Sequence, residues 1–231
     1  MSIRIINGKV YKNGTFSEED LVLKEGKISS AEDENADEVY DAKGKYVVPG
    51  FIDVHTHGGA GVDVNAADQQ GFEKIGHFFA TQGTTSWLSS ILTDTKEQTL
   101  KTIKEAVKHQ EAQKNGHENC ADLLGIHLEG PFLALSRKGA HDPECLKDPV
   151  PEYVDRLLHA ANGCLRQITI APELPHGIDA IRRFAAAGVV PAVGHCDADY
   201  ATACRGFDAG AGIMTHMFNA MNGLHHREPG P

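Results

Sequence analysis

Two histidines two positions apart follow an apolar run in the first quarter of the chain. His55 and His57 come at the end of the strand-like segment 46–54. Side chains at positions i and i+2 of a strand point to the same face, so the two imidazoles converge. Imidazole nitrogens are common ligands of divalent metal ions. The pair therefore indicates one part of a metal site.

Three further strand-like segments end in a residue that can bind a metal ion, namely Glu129, His195 and His216. In an α/β barrel, polar residues at the carboxyl ends of the strands meet over the barrel mouth. Independent strands that each finish in histidine or glutamate therefore indicate one shared site. His127 would share a strand face with Glu129, and the sequence leaves open whether it supports the ligands.

From residue 46 onward, the hydrophobic pattern alternates between strands and helices. Strands are predicted at 46–54, 84–91, 122–128, 166–171, 189–194 and 212–217. Apolar residues at helical spacing lie between them, as in Phe72, Ile75 and Phe79. Six successive β/α steps predict a parallel sheet, whose commonest closed form is the barrel. We expect an α/β fold with an incomplete (β/α)8 TIM-type barrel, about six of eight strands.

The first 45 residues predict a small β-rich module. Asn7-Gly8 lies between two strand-like segments and fits a two-residue hairpin turn, and Glu25-Gly26 repeats the pattern. We expect residues 1–45 to form the N-terminal part of a small β-sandwich and residues 46–231 to form the barrel domain.

Composition argues against several classes of partner. A formal net charge of -10 disfavours nucleic acid and anionic membranes. No segment approaches the roughly 18 apolar residues of a membrane span, and the N-terminus lacks the core of a signal peptide. Five cysteines without a Cys-x-x-Cys pair fit reduced thiols. We expect a cytoplasmic protein.

Four short sequence motifs of the chain together resemble those of a known family. They are Pro-Gly-Phe-Ile-Asp-Val-His-Thr-His at 49–57, His-Leu-Glu-Gly-Pro-Phe at 127–132, Gly-His at 194–195 and Thr-His-Met-Phe-Asn-Ala-Met at 215–221. The chain resembles the N-acetylglucosamine-6-phosphate deacetylases of the amidohydrolase superfamily over residues 1–231. The phrase at 127–132 is the specific element, whereas His-x-His is common to the superfamily.

The resemblance implies the metal ligands. Glu129, His195 and His216 would bind the principal ion, and His55 and His57 would add a second ion with Glu129 as the bridging carboxylate. One or two divalent ions such as zinc, iron or cobalt are implied, and availability decides among them.

The resemblance also implies a substrate and its contacts. The substrate would be N-acetylglucosamine 6-phosphate, split into acetate and glucosamine 6-phosphate, and the protein would be a homodimer. His141 would contact the substrate with Ala140 beside it, and His141 would stabilise the charge that develops on the acetyl oxygen. Asn219 and Ala220 would offer backbone groups to the sugar phosphate, and Arg227 would pair with the phosphate.

The proton-transferring group of the family is an aspartate after the eighth barrel strand. We identify no catalytic residue of this kind within the chain and expect it beyond Pro231, in a protein of which this chain is a truncated part. Asp197 and Asp199 are expected to cap a helix instead. The 231-residue chain alone is therefore expected to show little or no deacetylase activity.

Two other functions stay open. A cyclic-amide hydrolase or a deaminase could use the same superfamily site, but many cyclic-amide hydrolases bridge two metals with a lysine after strand four. Residues 169–173 contain no lysine, which disfavours that alternative. The second alternative is a metal-binding fragment without catalysis.

Overall fold

The computed structural model describes residues 2–29, 36–116 and 119–231, and the chain divides into two compact units, Met1–Gly50 and Phe51–Pro231. The boundary predicted from the sequence lies after residue 45. The run predicted as one strand over 46–54 is two strands, Tyr46–Val47 and Phe51–Thr56, in different units. Pro49-Gly50 lies between them and carries no strand pairing.

The described residues of the first unit form seven short strands in two sheets. Their bounds are β1 Ser2–Ile6, β2 Lys9–Lys12, β3 Thr15–Glu18, β4 Leu21–Lys24, β5 Lys27–Ser29, β6 Glu38–Asp41 and β7 Tyr46–Val47. One sheet has the order β5-β4-β1-β6, and the other has the order β3-β2-β7.

The hairpin predicted around Asn7-Gly8 is wrong, because the strands on either side of it belong to different sheets. The N–H of Ala42 donates to the carbonyl of Ile6, and the N–H of Lys9 donates to the carbonyl of Lys45, each at 2.9 Å. The residues on both sides of the turn therefore form hydrogen bonds with residues 42–45 rather than with each other. A two-residue turn signal does not specify which partner its flanking strands take.

The hairpin predicted at Glu25-Gly26 is confirmed. It joins the antiparallel strands β4 and β5, and both of its residues have positive φ, at 51° and 73°. A primed two-residue turn requires positive φ at both positions. Asn13-Gly14 joins β2 to β3 with the same geometry, at 52° and 85°.

The second unit contains the remaining strands and all five α-helices of the described residues. The strands are β8 Phe51–Thr56, β9 Gly58–Gly59, β10 Val62–Asp63, β11 Thr84–Leu92, β12 Asp122–Glu129, β13 Leu165–Ile170, β14 Val190–Val193 and β15 Ile213–Met214. The helices are α1 Gln69–Thr81, α2 Lys96–Ala112, α3 Pro151–Ala161, α4 Gly177–Ala186 and α5 Tyr200–Asp208. Four short 3-10 turns cover Val64–Ala66, Gln113–Asn115, Leu135–Arg137 and Pro143–Cys145.

The main sheet of this unit is parallel throughout and has the order β15-β14-β13-β12-β11-β8. Helices connect successive strands from β8 to β15, so the unit is an incomplete TIM-type barrel of six strands, as predicted. Five of the six predicted strands are found with bounds that differ by no more than three residues. Because the strands are parallel, their carboxyl ends all lie at one edge of the sheet.

Helix positions follow the predicted apolar periodicity. Phe72, Ile75 and Phe79 are buried on one face of α1. Asp199 caps α5 by accepting a hydrogen bond from the N–H of Thr202, as predicted for a helix start. Asp197 does not cap this helix.

The core of the unit lies between the sheet and the helices. Trp87, Ile126, Ile168 and Phe184 are fully buried there. Within the described residues, no helix has the length and apolar content needed to cross a membrane.

Candidate metal centre

Glu129 is the centre of a group of five histidines at the carboxyl edge of the sheet. It is the last residue of β12, and its side chain is 2% exposed. Each histidine brings its Nε2 atom to within 3.8 Å of a carboxylate oxygen. The distances are 2.8 Å for His216, 3.0 Å for His57, 3.2 Å for His195, 3.4 Å for His55 and 3.8 Å for His141.

The backbone conformation of two of these histidines directs their side chains toward Glu129. His195 and His216 each lie two residues after a strand, β14 and β15, and both have left-handed φ values of 47° and 53°. A non-glycine residue in this region costs free energy and persists only where its surroundings hold it, often at functional sites. His195 and His216 therefore have a strained backbone, and their side chains converge on Glu129.

The ring orientations of His57 and His195 are fixed by backbone carbonyls. Nδ1 of His57 lies 2.9 Å from the carbonyl oxygen of Ser90, and Nδ1 of His195 lies 2.8 Å from that of Arg137. Since a carbonyl only accepts, each Nδ1 carries the hydrogen, and Nε2 of the neutral ring presents a lone pair. Both lone pairs face oxygens of Glu129. Two acceptors, here the Nε2 lone pair of each ring and a carboxylate oxygen of Glu129, repel each other unless a cation lies between or beside them.

The pKa values show how the centre responds when protons are the only cations. Burial raises the pKa of Glu129, but the hydrogen bond from His195 and the close approach of His55 and His57 outweigh burial and lower it. Burial likewise lowers the pKa values of His57 and His195, but their hydrogen bonds to Glu129 and to backbone carbonyls raise them overall. The carboxylate stays ionised and attracts positive charge.

His55 supplies the clearest fit to a metal ion. Its Nε2 atom is buried and makes no hydrogen bond to any described residue, and the nearest oxygen of Glu129 is 3.4 Å away. A buried nitrogen without a partner is costly, and a metal ion would satisfy it. Imidazole and carboxylate donors suit zinc, iron and cobalt.

Glu129 belongs to both candidate ligand groups. His55, Glu129 and His216 form one group, and Glu129, His141 and His195 form the other, with the ligand atoms of each group within 4.8 Å of one another. The two groups overlap at Glu129, and a bridging role for its carboxylate stays a prediction. The assignment of His195 with His216 to one ion and His55 with His57 to another remains a prediction.

His141 differs from the other four histidines in the tautomer that its surroundings select. The backbone N–H of Thr93 points to Nδ1 of His141 at 3.4 Å, so Nδ1 accepts and Nε2 carries the hydrogen. Burial lowers the pKa of His141 to about 4, so the ring is neutral at neutral pH. His141 therefore presents a donor to the centre rather than a lone pair.

His127 has no nitrogen left for a metal. Its Nδ1 lies 2.9 Å from the hydroxyl of Ser90, and its Nε2 lies 2.9 Å from the hydroxyl of Thr169. The side chain is fully buried, and burial lowers its pKa to about 3. The Thr169 hydroxyl contacts that of Thr215 at 2.8 Å. The ring therefore ties neighbouring strands together beneath the centre and supports the ligands.

The remaining predicted substrate residues lie outside this group of side chains. Ala140 and Asn219 are exposed, and Ala220 is half-buried with φ of 49°. Arg227 is exposed and lines an open cavity of about 800 Å³ with Asp199 and others. Their contact with a substrate stays a prediction.

Three residues that contact the centre could not be identified from the sequence. Ser90, Thr93 and Arg137 act through backbone carbonyls or an amide N–H, which any residue type possesses. No residue pattern signals a backbone contact, so only the fold reveals them.

Comparison with known proteins shows what this chain is similar to. The model of the amidohydrolase family matches residues 38–123. An N-acetylglucosamine-6-phosphate deacetylase of Bos taurus is 34% identical over 99% of this chain and 57% of its own length. An N-acetylgalactosamine-6-phosphate deacetylase of Escherichia coli O157:H7 is 34% identical over 95% of this chain and 57% of its own length.

A solved structure agrees with these relatives. It is a mutant N-acetyl-D-glucosamine-6-phosphate deacetylase from Mycobacterium smegmatis in complex with N-acetyl-D-glucosamine-6-phosphate. It is 32% identical, with a TM-score of 0.85, over 100% of this chain and 59% of its own. The chain spans less than three fifths of the length of these relatives. In motifs, fold and sequence, the chain is similar to the N-acetylglucosamine-6-phosphate deacetylases, and part of it matches the amidohydrolase family model.

Proposed function

We propose that this chain carries the metal-binding part of a hydrolase that removes acetate from N-acetylglucosamine 6-phosphate. The observation that carries the proposal is the convergence of five Nε2 atoms on the buried carboxylate of Glu129. The relatives named above supply the substrate class.

The ligands and the donor of the centre have separate tasks in this proposal. Glu129, His195, His216, His55 and His57 would hold one or two divalent ions. A bound ion of this kind lowers the pKa of water to around 7 and polarises a carbonyl. His141 offers its Nε2–H to the acetyl oxygen, where negative charge develops when the carbonyl is attacked.

The proton must pass from the attacking water to the departing amine. The proposal assigns this task to an aspartate beyond Pro231, which remains a prediction. Asp197 is a poor substitute because its carboxylate already accepts two hydrogen bonds from Arg137. Those bonds lower its pKa and make it a weak base.

The phosphate is assigned to Arg227, with Asn219 and Ala220 offering backbone groups. Arginine forms two parallel hydrogen bonds to phosphate, and the Arg227 side chain lies in an open cavity that leaves room for one. We further propose a homodimer in the cytoplasm. Five unpaired cysteines support a reducing compartment.

Ligand binding to the chain tests the substrate class. Calorimetry of the Zn²⁺-loaded chain should show binding of N-acetylglucosamine 6-phosphate and at least about tenfold weaker binding of N-acetylglucosamine, because the phosphate contact is lost. Equal binding of the two sugars, or binding of a cyclic amide such as hydantoin instead, would contradict the proposal.

A second substrate is favoured by one comparison. The relative from Escherichia coli O157:H7 is named for the galactosamine epimer and is as similar as the relatives named for glucosamine. The same titration with N-acetylgalactosamine 6-phosphate therefore decides between the two epimers, and the tighter ligand identifies the substrate.

A further inference from the structure

Arg137 joins three segments around the metal centre without touching Glu129. It follows β12 in the 3-10 turn Leu135–Arg137. Its Nε and Nη2 atoms donate to the same oxygen of Asp197, at 3.0 and 2.8 Å, and Nη2 also donates to the side-chain oxygen of Asn222. Its backbone carbonyl accepts the hydrogen of Nδ1 of His195 at 2.8 Å.

His195 is attached to the same turn by its backbone as well. The N–H of Ala134 donates to the carbonyl of His195 at 2.8 Å. His195 has a left-handed φ of 47°, a conformation that must be held by surrounding contacts. Gly139 packs against the same ring, where a Cβ would lie 3.2 Å from Cε1. The ring direction therefore depends on where the turn sits.

Asp197 is held from the opposite side. Its backbone N–H donates to Glu173, which follows β13, while its carboxylate faces Arg137. The guanidinium thus bridges the loop after β12, the loop after β14 and the C-terminal loop at Asn222. If the guanidinium of Arg137 no longer bonds to Asp197 and Asn222, the turn that carries the Arg137 carbonyl is held less firmly. The carbonyl then orients the His195 ring less well.

We propose that Arg137 is a positioning residue of the metal centre, because its guanidinium fixes the carbonyl that directs Nε2 of His195 toward Glu129. This inference rests on the proposed metal site and adds a residue outside the ligand set. Partners of metal-ligating histidines typically change metal affinity by about 10- to 100-fold when they are lost. The ion pair itself is one-third to one-half exposed, so its direct effect on stability is small.

A matched control is available in the same unit. Arg183 forms the same kind of forked ion pair with Asp155, between α4 and α3, and is similarly exposed. Neither residue contacts a histidine of the centre in the described contacts. Arg183→Ala therefore removes an equivalent surface pair without affecting the carbonyl at His195.

The test measures Zn²⁺ affinity by chelator competition and thermal unfolding of the metal-free protein. Arg137→Ala and Asp197→Ala should each lower Zn²⁺ affinity at least about tenfold, and the double variant should lose no more than either one. Arg137→Lys should restore affinity only in part, because lysine lacks the planar fork. Arg183→Ala should leave affinity unchanged at a similar unfolding temperature.

Unchanged affinity in Arg137→Ala, or an equal loss in Arg183→Ala, would overturn the inference. If Arg137→Ala does not fold, Asp197→Ala decides the outcome. The ¹⁵N spectrum of the histidine rings in metal-free protein gives a readout that is independent of metal. At a pH above the raised pKa of His195, the neutral ring should carry its proton on Nδ1 in the wild type and lose that preference in Arg137→Ala. A wild type without Zn²⁺ binding but with this tautomer change would contradict the metal site and leave the positioning by Arg137 supported.

Discussion

At the scale of single residues, the position of the ring hydrogen separates histidines that look alike in sequence. His57 and His195 bind carbonyls through Nδ1 and turn a lone pair toward Glu129. His141 accepts at Nδ1 and turns an N–H toward the same carboxylate. His127 uses both nitrogens in hydrogen bonds. Histidines at the same edge of the sheet therefore have three different roles: candidate metal ligand, hydrogen-bond donor and support between strands.

The first prediction separates ligands from the donor. His216→Ala should lower Zn²⁺ affinity at least about tenfold, because it removes the nitrogen nearest to Glu129. His141→Ala should leave Zn²⁺ affinity close to wild type, because its Nε2 already carries hydrogen. Chelator competition on the two variants measures the difference. Equal losses would show that His141 is a ligand.

The second prediction concerns pH and the buried ring of His127. Burial, and to a lesser extent the nearby His55, lower its pKa from 6.5 in the unfolded chain to about 3. Between these values the unfolded chain binds a proton that the folded chain does not. This contribution to the free energy of unfolding is therefore complete above pH 6.5 and decreases as the pH falls.

In metal-free wild type, this decrease should reach about 2 kcal/mol at pH 5. His127→Phe should be less stable at pH 7, because the hydrogen bonds of the ring to the hydroxyls of Ser90 and Thr169 are lost, at about 0.5–1.5 kcal/mol each. The stability gap between wild type and variant should then narrow from pH 7 to pH 5. Urea denaturation at both pH values measures the gap, and a constant gap would mean that His127 can be protonated in the folded protein.

At the scale of elements, the loops after the strands carry the constraints that make the centre. Gly130 follows β12 with φ of 92°, and a Cβ there would lie 2.1 Å from the hydroxyl oxygen of Thr93. That hydroxyl donates to the carbonyl of Glu129 at 3.1 Å. The loop therefore requires glycine for conformation and for space.

The third prediction compares two glycines with positive φ. A Cβ added to Gly163, at φ of 79°, would meet no atom of the described residues within 4 Å, so Gly163→Ala should cost only about 1–2 kcal/mol for the backbone conformation. Gly130→Ala should cost about 1–3 kcal/mol more, because it also forces Thr93 to move. Chemical denaturation measures both, and equal losses would show that the loop relaxes without penalty.

The parallel sheet and the residues that surround Glu129 can be predicted from the sequence, because apolar periodicity and strand ends are local signals. The partners of β1 and β2 cannot, since a turn at Asn7-Gly8 fits more than one pairing. The role of His127 cannot be predicted either, because it depends on hydroxyls from two other strands. Features that rely on contacts between distant segments require the fold.

At the level of the whole molecule, all residues of the candidate metal centre belong to one of the two units, Phe51–Pro231. Its sheet ends in two edge strands, β8 and β15. On β8, Phe51 is 65% exposed and Ile52 is 61% exposed. Exposed apolar edge strands favour pairing with other chains.

The fourth prediction is that the chain associates through β8 in a concentration-dependent way. Ile52→Lys should reduce association, because a charge on an edge strand opposes pairing. Leu135→Lys is the control, since Leu135 is 66% exposed but lies in a 3-10 turn. Light scattering over a range of protein concentrations measures association. An equal effect of both substitutions would indicate general solubility rather than edge pairing.

The central claim is that Glu129 holds a metal ion. The most direct measurement is the Zn²⁺ content of purified protein after loading and dialysis, for wild type, Glu129→Gln and Glu105→Gln. Glu105 is a half-buried glutamate of α2 that accepts a hydrogen bond from Gln69, and it lies outside the histidine group. Wild type and Glu105→Gln should retain Zn²⁺, and Glu129→Gln should retain less than about one tenth as much. Wild-type Zn²⁺ content in Glu129→Gln would contradict the account.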